Sequence, residues 1–157
     1  GEIGAGELHV LVSTKARGAG FRIIAPFETE EGRRLLLDRG FVPDEAKEAG
    51  RRTGAATVTG NLHWPEDRNS STPENDPAEN YWYARDLGPM AGTLDTEPLL
   101  VVVRQESPPA PGITPLPVDT SAIPNDHLEY AVTWFGLAAV WVAMTGFLLW
   151  RTARRTT

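Results

Sequence analysis

Ala131-Val132-Thr133-Trp134-Phe135-Gly136-Leu137-Ala138-Ala139-Val140-Trp141-Val142-Ala143-Met144-Thr145-Gly146-Phe147-Leu148-Leu149-Trp150 runs for twenty residues without a charge. A helix of that length rises about 30 Å, the thickness of a bilayer's hydrocarbon core. The stretch therefore predicts a transmembrane helix, and the rest of the chain is organised around it. Arg151, Arg154 and Arg155 follow the stretch, and Asp126 and Glu129 precede it. Because basic residues stay on the cytoplasmic side, everything before the span is expected outside the cytoplasm. That places the chain in a bacterial cytoplasmic membrane or a mitochondrial inner membrane, its domain on the periplasmic or intermembrane side.

Setting aside the three tail arginines and Glu129 leaves twelve basic against twenty acidic residues in the outer portion. Such a surface repels nucleic acid and anionic lipid. The chain has no cysteine, which excludes disulfides and thiolate-bound metal. About 125 residues before the span suffice for one domain with its own core. The first residue is Gly1, and a preceding targeting or anchoring segment is expected.

In the outer portion, short apolar runs, mostly of period two or continuous and bounded by glycine, proline and acidic clusters, predict strands at 8–12, 21–27, 34–41, 55–62 and 99–103. Leu35-Leu36-Leu37 suits a strand covered on both sides, and Thr57-Val58-Thr59 a half-exposed one. A short helix is expected at 86–94 and a helical turn at 44–48, after Pro43. The fold class is mainly β (α+β): a small curled antiparallel sheet, or a barrel-like one, with one or two short helices and a C-terminal transmembrane helix. Residues 65–80 hold three prolines and many side chains that bond their own backbone, which predicts a structured loop. Six prolines in 107–124 predict an extended strap. The expected divisions are 1–106 (domain), 107–124 (strap), 125–152 (membrane helix) and 153–157 (cytoplasmic tail).

At the head of the span, Asp126 and Glu129 have capping-box spacing, and His127 lies in the first turn. His127, Tyr130 and Trp134 are spaced to share one helical stripe. An imidazole above an aromatic face at lipid depth is a candidate axial haem ligand. The plainer reading makes His127 a polar boundary residue and the two aromatics an interfacial belt. Ala139 and Ala143 are spaced for close helix contact. Trp64, Tyr81, Trp82 and Tyr83 form either core or a docking surface. Asp67, Asn69 and Ser71 alternate as a calcium loop begins, but position six would be Thr72 and position twelve Ala78, which disfavours that reading. No Gly-x-Ser-x-Gly, His-Glu-x-x-His or cysteine nucleophile supports an enzyme with His127 as general base.

The block Pro124-Asn125-Asp126-His127-Leu128-Glu129-Tyr130 and the residues through Ala138 resemble the second-membrane-helix signature of the Surfeit locus protein 1 family. So, in order, do Gly20-Phe21-Arg22-Ile23-Ile24-Ala25-Pro26-Phe27, Leu37-Asp38-Arg39-Gly40-Phe41-Val42-Pro43, Gly60-Asn61-Leu62, and Thr72-Pro73-Glu74-Asn75-Asp76 with Trp82 and Arg85-Asp86. The resemblance covers about residues 18–150. It implies two membrane helices around one extracytoplasmic domain, the first helix lying before Gly1. It further implies an assembly factor, not an enzyme, that helps place haem A in the catalytic subunit of cytochrome c oxidase. His127 would ligate the haem iron, Tyr130 and Trp134 would hold the macrocycle, and haem A synthase and the oxidase subunit would be partners. Trp82, Asn75 and Asp76, with Ala139 and Ala143 on the helix, are the expected docking residues. The alternative is a structural chaperone of the oxidase subunit that never touches haem.

Overall fold

The computed structural model describes residues 1–118 and 127–155. Two compact units emerge, Gly1–Val118 and Asp119–Thr157. The first is built on one sheet: β1 (Glu2–Ile3), β2 (Leu8–Thr14), β3 (Gly18–Glu28), β4 (Arg34–Pro43), β5 (Gly54–Ala55), β6 (Thr57–His63) and β7 (Leu100–Ser107). Its order is β5-β1-β3-β4-β7-β6, with β2 also paired to β3. Most pairings are antiparallel, but β4 and β7 run parallel, so the sheet is mixed and not closed into a barrel. Parallel neighbours need a long crossover. Here residues 44–99 supply it, and neither strand's own sequence could announce that pairing.

The central strand β4 is buried from Leu35 to Val42, as its apolar run requires. On one face Leu8, Val10, Ile24, Leu36, Leu100 and Val102 pack against Trp82 and against Met90, Ala91 and Leu94 of helix α1 (Leu87–Leu94). Each large apolar side chain buried there contributes about 1.5–3 kcal/mol. On the other face Ile3, Ala25, Leu37, Ala56 and Val103 form a second cluster, flanked by Phe27, Val58 and Val101. The expected strand at 55–62 is divided between β5 and β6, because Ala55 pairs with β1 while Thr57 pairs with β7. A 3-10 turn at Asp44–Ala46 follows Pro43.

Of the proline-rich segment, Thr114 exchanges two backbone hydrogen bonds with Phe41, at 2.7 and 2.9 Å. The second unit contains α2 (His127–Ala153), 27 residues long and apolar enough to cross a membrane. Its side chains are almost all uncovered, an arrangement suited to lipid and costly in water. Pro124, Asn125 and Asp126, and with Asp126 the expected capping box, lie outside the described residues.

Candidate functional site

His127 opens α2 and is exposed. Tyr130 and Trp134, three and seven residues on, are each 66% exposed. Helical spacing sets the three along one side of the first two turns. Glu129, Tyr130, Thr133, Trp134 and Leu137 line a shallow groove there, and His127 sits one turn above it. The Thr133 hydroxyl donates to the Glu129 carbonyl at 2.8 Å, so it is turned back onto the helix. A porphyrin needs an accessible imidazole nitrogen and flat apolar contact, and these residues fit that need on one side of the ring. Among the described residues no group of three or more His, Asp or Glu could hold a metal ion, and His127 is the one imidazole on this stripe. Ala139 and Ala143 lie lower on α2, and both are exposed.

In the domain unit, the expected docking residues are placed differently. Trp82 is 0% exposed in the core under α1, so no partner reaches it. Its backbone bonds β2 through His9 and Leu11, at 3.0 and 2.8 Å, which draws the indole inward. Asn75 is spent on its own loop. Its Nδ2 donates to Asp86 Oδ2 at 2.7 Å, and its Oδ1 accepts from the Tyr83 and Ala84 amides at 2.8 and 3.2 Å. Asp76 is exposed, but its Oδ1 accepts from the Ala78 and Glu79 amides and its backbone pairs with Tyr81. Of the four aromatics considered, Trp64 (65%) and Tyr83 (37%) keep the most surface. Asp67 and Asn69 are likewise used internally, on Arg85 and on the Ser71 amide.

One buried ionic cluster anchors these loops to the sheet, and a second joins two strands within it. Asp38 of β4, fully buried, accepts from Arg22 at 2.6 Å and lies 3.6 Å from Arg85. Burial pushes its carboxyl above the ordinary value, against the pull of Arg22, Arg85 and the Gly40 amide. Arg85 in turn forks onto Asp67 at 2.6 and 2.9 Å. Burial works against the Arg85 charge, yet Asp67 and Asp38 outweigh it and raise the guanidinium. The Asp67 carboxyl is held below its usual range, chiefly by the hydrogen bond from Arg85. His63 is lowered by desolvation and by the nearby Arg85 charge. On the other face Arg39 forks onto Glu106 at 3.1 and 2.7 Å, both side chains almost wholly buried. The signal for both clusters was legible as charge inside an apolar strand, Asp38-Arg39 after Leu35-Leu36-Leu37. Their partners, distant in sequence, were not.

The chain is 34% identical over 137 residues to a SURF1-like protein of Monosiga brevicollis, covering 83% of this chain and 52% of that one. To the human Surfeit locus protein 1 it is 33% identical over 136 residues, 82% of this chain and 44% of the relative. To that of Xenopus tropicalis it is 34% identical over 142 residues, 86% and 45%. The chain thus spans about half the length of the curated relatives it matches. No solved structure matches it. The SURF1 family model matches residues 3–139, from the first buried residue of β1 into the half of α2 that bears His127, and the chain belongs to that family.

Proposed function

We propose that this chain is a membrane-anchored assembly factor for cytochrome c oxidase that carries haem A to the oxidase's catalytic subunit. In this reading His127 ligates the cargo's iron at the outer leaflet while Tyr130 and Trp134 hold one face of the ring. The domain stands outside the cytoplasm, docks on haem A synthase and on the nascent subunit, and makes or breaks no covalent bond. The observation that carries the reading is an exposed imidazole at the head of an apolar helix, inside the segment that matches the SURF1 family. A single axial histidine suits a carrier, because cargo held by one ligand is more easily released than cargo held by two.

The test is to purify the full-length protein in detergent from cells that make haem A and to record its visible spectrum beside that of His127→Ala. The expected result is a haem spectrum in the unaltered protein and at least a several-fold loss in the variant, with far-ultraviolet circular dichroism unchanged. Haem in neither protein would favour a scaffold that holds the oxidase subunit through helix contacts at Ala139 and Ala143. Equal haem in both would remove His127 from the site.

A further inference from the structure

From Tyr130 to Trp150 helix α2 rises about 30 Å, so with Tyr130 at one face of a bilayer's hydrocarbon core Trp150 reaches the other. Arg151, Arg154 and Arg155 rise about 1.5–7.5 Å further, the depth of the headgroup layer. All three are exposed. The Arg154 guanidinium lies over the Trp150 ring, 4.1 Å from its centroid, a cation–π contact that holds the charge at the boundary. The Arg154 amide donates to the Trp150 carbonyl at 3.2 Å, and the Arg155 amide to that of Thr152 at 3.0 Å. The helical path therefore continues through the arginines in a tightened last turn, which gathers them within an arc of about 100–120°. No acidic residue follows Glu129 in the sequence, so neither the lower part of α2 nor the tail brings a side-chain carboxylate to them.

Beneath these cations the helix surface is apolar and grooved. Trp141, Met144, Thr145, Phe147 and Leu148 line a shallow groove. Phe147 and Leu148 stand one turn below Arg151 on the same side of the helix, and they are 60% and 62% exposed. An apolar groove that ends in clustered cations at phosphate depth complements an amphiphile with an anionic head. We infer that this end of α2 binds an anionic glycerophospholipid of the leaflet on the arginine side. Arg151, Arg154 and Arg155 hold its phosphate, and one acyl chain lies along the groove. Guanidinium suits that head because its N–H edge meets two phosphate oxygens at once. The acidic outer portion repels such lipids, which confines the attraction to one leaflet. The site lies at the opposite end of the span from His127, so it stands or falls apart from haem carriage.

The test is native mass spectrometry of the full chain released from detergent micelles that hold equal amounts of phosphatidylglycerol and phosphatidylcholine with matched acyl chains. The expected result is one phosphatidylglycerol retained per chain, at least about fivefold more often than phosphatidylcholine, the factor one well-placed basic residue supplies. With Arg151→Gln, Arg154→Gln and Arg155→Gln combined, the ratio should fall to about one, while the same three changes to Lys should keep an intermediate preference. Because removing three charges can disturb insertion, the single Gln variants are read as well, and each should lose part of the preference. Excess glycerol 3-phosphate, a head without chains, should leave the lipid in place. Equal retention of the two lipids by the unaltered chain would overturn the inference, and is the result expected if another polypeptide fills the groove. So would an unchanged ratio in the combined Gln variant or in all three single ones. Displacement by glycerol 3-phosphate would overturn the groove's part in it.

Discussion

Asp67 and Arg85 carry a pH dependence whose sign can be worked out. The folded-state value of Asp67 lies below its ordinary one, so its stabilisation is fully present above the unfolded-state value near 3.9 and is lost as pH falls through the folded-state value. Asp67→Asn should therefore lower stability at pH 7, by no more than about 1 kcal/mol because the pair is partly exposed. That difference should vanish once the acid limb is passed, as thermal unfolding at pH 7 and at successively lower pH would reveal. A gap that persists unchanged at the acid end would mean that the carboxylate charge is not what holds Arg85. At this scale the stripe shared by His127, Tyr130 and Trp134 was legible before folding, since helical spacing alone sets it. The fate of Trp82 was not, because whether an aromatic faces core or solvent depends on α1 and β2, which approach it from elsewhere in the chain.

Among the elements, β4 joins β3 to β7 at the centre of the sheet, and Gly40 is where it touches the proline-rich segment. Gly40 has φ +125, and a Cβ there would meet the Thr114 carbonyl oxygen. Side chains rarely adopt that conformation, and the steric conflict adds to the strain. Gly40→Ala is expected to cost about 2–3 kcal/mol and to free the 113–115 backbone from Phe41. Hydrogen exchange at the Phe41 and Thr114 amides reads this out, and protection equal to that of the unaltered protein would refute it. The short apolar runs, alternating or continuous, located β2, β3, β4, β6 and β7 within a few residues, since both patterns are local signals. β1 and β5 are two-residue strands whose existence depends on each other and on β3, and no local pattern marks them.

For the whole molecule, the arginines after α2 and the acidic character before it set an expected orientation. In intact cells, a membrane-impermeant maleimide should label Lys15→Cys in the domain and leave Thr156→Cys unlabelled until the membrane is opened. The reverse pattern would invert the topology and, with it, the side on which His127 could meet haem. A cysteine-free background keeps the readout unambiguous.

What the amino-acid order determined alone is everything that depends on neighbours along the chain. The apolar helix, the stripe headed by His127, the turn after Pro43 and the alternation of the long strands all follow from short-range spacing and transfer free energy. Tertiary structure alone decided the parallel β4–β7 pairing, the burial of Trp82, and the partners of Asp38 and Arg39. Each of these joins residues tens of positions apart. Such contacts form only when the chain closes on itself and buried charge must find its counterion.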